Sequence, residues 1–173
     1  MNSINTGDQN SSKPDRAPAS LVRIRFQDCD PYGHLNNSRY LDYFINAREQ
    51  HLREHYQLDI YSERFRERGW VVRTSTVTYL WPVRFNQEVR IQTRLLNFSA
   101  SSIVMEGVMA NPEQKRLHAT SWVEFTYIDL KAGRPTRHEA DLMELFASLQ
   151  MEPEFILDGG RDRIKKLKRG VAA

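Results

Sequence analysis

Cysteine is almost absent: Cys29 is the only one in 173 residues. An internal disulfide and any metal cluster built on several thiolates are therefore excluded, and the usage fits a reducing compartment. Long apolar runs are missing too. No stretch approaches the roughly 18 consecutive apolar residues of a membrane span, and the first twenty positions hold no apolar core of a secretion signal. The sequence thus predicts a cytoplasmic protein with no membrane span. No internal repeat and no glycine-rich phosphate loop occur either, and no cofactor is expected.

What is present suits one well-filled core. Hydrophobic residues make up 40% of the chain, enough for a single domain and too few residues for two. The pI near 9.1 raises the question of nucleic acid, but the positive charge is concentrated at one end. Residues 161–169 hold six bases against one acid, a net of +5, so the rest of the chain sums to −2. Residues 151–173 read as a basic tail, a solvated charge run that leaves room for an anionic partner; nucleic acid is not expected. Residues 1–19, rich in Ser, Asn, Asp and Pro, lack the apolar area to offset the entropy of ordering and read as a disordered arm. The domain lies between, over residues 20–150.

Residues 21–26 alternate apolar and basic side chains, as a half-buried strand does. Asn36, Asn37 and Ser38 are good helix N-caps, and Tyr40, Leu41, Phe44, Ile45, Ala47, Leu52 and Tyr56 follow with helical spacing. The wide apolar stripe predicts a helix of about five turns buried over most of its circumference. From Trp70 the period changes to two. Trp70, Val72, Thr74, Thr76, Thr78 and Leu80 share one face of a strand ending near Pro82; Phe85, Val89, Ile91 and Leu95 mark the next; Ile103, Met105 and Met109 a third; Leu117, Ala119, Val123, Phe125 and Tyr127 a fourth. A last amphipathic helix spans residues 139–149. Strand, long helix, then four closely connected strands is an α+β pattern with an antiparallel meander.

The chemistry concentrates in residues 26–40, Phe-Gln-Asp-Cys-Asp-Pro-Tyr-Gly-His-Leu-Asn-Asn-Ser-Arg-Tyr. This places a carboxylate, Asp30, on a strand-to-helix turn just ahead of a helix N-terminus. A base or nucleophile and carbonyl-polarising backbone amides are thereby offered together. Local chemistry alone leaves a simpler reading open, because Asp-Pro-x-Gly is a turn signal in which Asp30 merely accepts backbone hydrogen bonds. His34 can likewise be a structural hydrogen-bonding residue. Asp28, Asp30 and His34 have no further clustered ligand, so no metal site is expected.

The segment closely resembles the active-site stretch of the 4-hydroxybenzoyl-CoA thioesterase-like branch of the hotdog superfamily. Ala47-Arg48, the run Tyr79-Leu80-Trp81-Pro82-Val83, the run from Phe125 to Asp129, and Gly133-Arg134-Pro135 are similar to family positions as well, and the resemblance spans roughly residues 20–150. It implies a hotdog fold, a five-stranded antiparallel sheet wrapped around a long central helix with a C-terminal helix. The implied activity is hydrolysis of an acyl-CoA thioester, with Asp30 as general base or nucleophile. Residues 33–37 would supply amides to the carbonyl oxygen, so that Tyr32, Gly33 and Asn37 meet the substrate. The Gly-His-x-Asn-Asn form is also similar to acyl carrier protein thioesterases, which makes His34 and Asn36 further catalytic candidates. A homodimer or homotetramer is implied. Relatives often carry Glu where this chain has Ile45 and Asn46, a departure that leaves the partner of Asp30 open. A non-catalytic acyl-thioester-binding protein is the competing expectation; a hydratase is disfavoured, since no Asp-x-Asn-Pro-x-His element occurs. Trp70, Trp81, Phe85 and Trp122 read as core, and Arg73, Arg84, Lys115 and Arg116 as bases able to meet phosphates.

Overall fold

In the computed structural model, which describes residues 14–113, 116–151 and 161–171, five antiparallel strands run in the order β1-β3-β4-β5-β2 and curl around one long helix. The strands are β1 (Ala19–Arg23), β2 (Arg68–Tyr79), β3 (Glu88–Phe98), β4 (Ser102–Ala110) and β5 (Leu117–Asp129), and a two-residue β6 (Arg134–Pro135) pairs with the end of β5. The helices are α1 (Tyr40–Tyr56), α2 (Ala140–Leu149) and α3 (Arg161–Val171). The expected hotdog architecture is therefore the one observed. No helix among the described residues is long and apolar enough to cross a membrane.

Alternation puts Val89 and Ile91 of β3, Met109 of β4 and Ala119 of β5 against Tyr40, Phe44 and Ala47 of α1. Gly107 in β4 lets the helix come close, because a Cβ there would collide with the Phe44 ring and crowd Ser121 Oγ. A second cluster joins Leu95, Ile103, Phe125 and Tyr127 to Leu142, Phe146 and Leu149 of α2.

Several expectations require correction. The helix is buried along one stripe, Tyr40, Tyr43, Phe44, Ala47, Arg48, His51 and Leu52, and not over most of its circumference. In β2 a bulge at Arg73 breaks the register between Val72 and Thr74. The bulge flips the alternation: Trp70 and Val72 share the face of their partners Tyr127 and Phe125, but beyond it Ser75, Val77 and Tyr79 take that face, opposite Val123, Ser121 and Ala119, while Thr74, Thr76 and Thr78 lie on the other. The first strand covers Ala19–Arg23, earlier than expected, and a 3-10 turn at Phe26–Asp28 takes its place.

The two ends also differ from expectation. Residues 14–19 of the expected disordered arm are tied to the domain: Tyr56 donates its hydroxyl to Asp15 O at 2.7 Å, Gln92 Nε2 donates to Ala17 O at 2.8 Å, and Thr93 N to Pro18 O at 3.1 Å. Residues 1–13 lie outside the described residues. The basic run 161–169 forms most of α3, which lies against β5 with Lys165, Lys166, Lys168 and Arg169 exposed.

Candidate active site

The strand-to-helix turn is assembled by backbone bonds. Asp30 N donates to His34 O at 2.7 Å and Gly33 N to Asp30 O at 3.0 Å, closing a tight loop that needs Gly33 at φ +74. Leu35 N donates to Val83 O at 2.8 Å and Phe85 N to Gly33 O at 3.0 Å, which pins the loop to the segment ahead of β3. A 3-10 turn over Asn37–Arg39 then leads into α1.

Within this frame the two aspartates are held differently. Asp30 uses one oxygen only: Oδ1 accepts from Tyr32 N at 2.9 Å and from His34 N at 3.0 Å. Its Oδ2 has no partner among the described residues. Asp28 is buried and fully engaged. Arg39 donates to its Oδ1 through Nε at 3.1 Å and through a terminal nitrogen at 2.9 Å, and Tyr43 donates its hydroxyl to Oδ2 at 2.8 Å. Burial alone would raise its pKa, but the Tyr43 and Arg39 bonds outweigh it and hold the carboxyl below the ordinary range. Arg39 and Tyr43 were not foreseen, although their four-residue spacing at the helix start was a readable sign that both reach one point.

The amides of the helix entry are mostly taken. Those of Gly33, His34 and Leu35 serve the loop, Asn36 N donates to Asp28 O at 2.9 Å, and Ser38 N and Arg39 N donate back to Asn36. In the run 33–37 only Asn37 N–H lacks an acceptor among the described residues. Its carbonyl is fixed by Tyr79, which donates its hydroxyl at 2.8 Å. Asn36 is the N-cap of the 3-10 turn, its Oδ1 accepting from Ser38 N at 3.0 Å and from Ser38 Oγ at 2.9 Å. That occupation leaves the Asn36 Oδ1 little freedom for another task.

His34 is half-buried beside Arg84, with which it forms an isolated β-bridge. Cys29 donates to Arg25 O at 3.4 Å, and its thiol is pushed up by burial and by the charges of Asp28 and Asp30, so it is held as a poor nucleophile. Around the turn the surface is apolar. Tyr32 is 85% exposed, Trp81 54% and Phe85 49%, and Phe26 meets Phe85 edge-on at 5.6 Å. Expecting Trp81 and Phe85 in the core was wrong; only Trp70 and Trp122 are partly buried. Arg116 lies over the Trp81 ring at 5.3 Å, while Lys115 is outside the described residues. A groove of about 480 Å³ along α1 borders Asp28 and not Asp30.

Comparison with known proteins identifies the family and the fold. Residues 24–146 match the model of the Thioesterase-like superfamily. The chain is 30% identical over 99 residues to the acyl-CoA thioester hydrolase YbgC of Escherichia coli, covering 56% of this chain and 72% of the relative. Among solved structures, the PA5185 protein of Pseudomonas aeruginosa superposes with a TM-score of 0.68 at 27% identity, over 79% of this chain and 94% of that one. A DHNA-CoA thioesterase of Staphylococcus aureus gives 0.71 at 18% identity, over 77% and 90%, a likeness of fold.

Proposed function

Because the chain belongs to the thioesterase-like superfamily, we propose that it hydrolyses an acyl-CoA, with Asp30 as the catalytic carboxylate and Asn37 N–H as the donor to the carbonyl oxygen. The observation that carries this reading is the half-used Asp30. Its Oδ1 is fixed by two backbone amides, which orients Oδ2 without consuming it. A carboxylate held so can take a proton from water while the hydroxide adds to the thioester carbon, or it can add to that carbon itself and form an anhydride that water then opens. In both routes negative charge develops on the carbonyl oxygen, and a preset amide at the mouth of α1 stabilises it. The CoA thiolate leaves with little need of an acid and collects the proton afterwards. The exposed aromatic rim and Arg116 suit the apolar and phosphate parts of such a substrate, and His34 stands beside the turn as a positioning residue.

A second copy completes the assembly in this reading. β2 is an edge strand of 12 residues, exposed along 71–76, including Val71 and Val72. A long open edge of this kind invites pairing with another chain. The copies would join along β2 as a homodimer, and two such dimers can pair again into a homotetramer. Light scattering at micromolar concentration is expected to give at least twice the chain mass; a monomer mass overturns the pairing.

Thiol release is the direct test of activity. Purified protein should liberate CoA from members of an acyl-CoA panel, and the same acyl groups on carrier protein show which thiol carrier it prefers. Absence of release across both panels by a folded protein overturns the reading in favour of a binding protein.

A further inference from the structure

We propose that Arg48 binds a carboxylate in the cavity between α1 and the sheet, and that this carboxylate is the far end of the acyl group. The second half of the inference rests on the hydrolytic function proposed above.

Arg48 sits in the middle of the buried stripe of α1 and is 6% exposed. Its Nε faces Met105 Sδ at 2.8 Å, a weak acceptor, and its guanidinium carbon lies 4.3 Å from the centre of the Phe125 ring. No carboxylate bonds to it, and its two terminal nitrogens donate to no protein atom among the described residues. Burial pulls its pKa down to about 10, against the weaker pull of Glu49, so it remains a cation at neutral pH. A buried charge is normally paired, and one left alone is costly.

The neighbouring groups do not supply the missing anion. Arg94, on the same cavity, has Glu106 at 3.0 Å. His51 is held by Thr93 Oγ1 at 2.7 Å and Ser20 Oγ at 3.2 Å, and burial lowers its pKa to about 4, which leaves it neutral. The cavity they line is small, about 40 Å³, with walls that include Leu52, Leu95, Ile103 and Phe146. That space holds about as much as two or three waters, the size of one carboxylate head. A guanidinium fork matches a carboxylate in a bidentate pair, and a space of about 40 Å³ suits a flat carboxylate head better than a bulkier phosphate. Arg48 also lies eight residues beyond Tyr40, roughly 12 Å along the helix from its first turn. That separation fits the far end of a chain whose thioester is at Asn37, and not the thioester itself.

The test uses the full chain and two readouts. In the first, adipate and its neutral diamide are titrated into wild type, Arg48→Met and Arg48→Lys, with melting temperature and calorimetry as signals. Adipate should bind wild type, the diamide should not, Arg48→Met should abolish binding and Arg48→Lys should weaken it. In the second, kcat/KM is compared for adipoyl-CoA and hexanoyl-CoA. Wild type should favour the carboxylated substrate, and Arg48→Met should reduce that ratio by about 10- to 100-fold, the worth of a buried charge-assisted pair. Adipate binding without a substrate preference supports the carboxylate site and overturns its assignment to the acyl end. Adipate binding with neither thioester hydrolysed supports the site and removes the hydrolytic reading instead. If adipate is silent on wild type, and Arg48→Met unfolds or dissociates the protein, Arg48 serves the fold or the subunit contact and the inference is overturned.

Discussion

Around Asp28 both carboxylate oxygens are engaged, whereas around Asp30, two residues later, the same turn leaves a carboxylate oxygen and the Asn37 amide without a partner among the described residues. Both aspartates are turn residues by local chemistry, and both hold the backbone in place. The difference lies in what remains after that task. Asp28 spends both oxygens on Arg39 and Tyr43, and its main-chain carbonyl on Asn36. Asp30 spends one. A site that must bind and release a reacting group needs such a remainder, and its support needs the opposite; this turn provides the two side by side.

The most severe way to break the comparison is Asp30→Asn. The amide keeps an oxygen able to accept from Tyr32 N and His34 N, so the loop and the melting temperature should hold. The anionic Oδ2 is gone, and thioester turnover should fall by ~10²- to 10⁴-fold. A folded variant that keeps near-wild-type turnover removes Asp30 from the chemistry and leaves it a turn residue like its neighbour.

Asn37→Pro tests the other unclaimed group. Proline deletes one backbone N–H, and at this position no protein acceptor is lost. The preceding Asn36 is extended, at φ −61 and ψ 135, the conformation that proline asks of its predecessor, and a first helical position tolerates proline well. Loss of one oxyanion donor should lower kcat by about 10²- to 10³-fold with little change in melting temperature. Unchanged kcat would assign the carbonyl oxygen to a different donor.

How much of this turn was legible depended on whether the cause was local. The Asp-x-Asp turn, the helix entry at Asn36 and the period-two strands β3 to β5 follow from neighbours in sequence, and the structure places them there. Arg73 did not reveal its bulge, because one unpaired residue leaves composition and spacing unchanged while reversing the face of every residue after it. Arg48 was read only as part of a family-like pair, since binary patterning assigns an arginine to solvent; its burial is decided by the positions of Met105 and Phe125, more than fifty residues away. The order of residues 14–18 depends on acceptor and donor groups from Tyr56, Gln92 and Thr93, which only the folded sheet brings near. The engaged state of Asp28 belongs to the same class, as Tyr43 reaches it from the second turn of α1.

Asp28→Asn is expected to have the smallest effect on turnover, within about threefold, and to act on stability instead. Tyr43 accepts from Arg25 N at 3.1 Å and so must donate to Asp28; an amide nitrogen facing that hydroxyl puts donor against donor, while an amide oxygen there turns the nitrogen toward Arg39. Either orientation forfeits a charge-assisted bond. The exposed side of Arg39 softens its share, so the buried Tyr43 bond dominates, and the melting temperature should fall by roughly 2–10 °C. The pH dependence has a definite sign. Because the folded protein holds the Asp28 carboxyl below its ordinary value, the stability it adds is complete above the unfolded pKa of about 3.9 and is lost as pH falls through the lower folded value. The gap in melting temperature between wild type and Asp28→Asn should therefore be widest from about pH 5 upward and close in stronger acid. A gap that stays constant down to pH values well below 3.9, read by calorimetry across the series, would mean that Asp28 contributes shape alone and that its carboxylate is no better matched than that of Asp30.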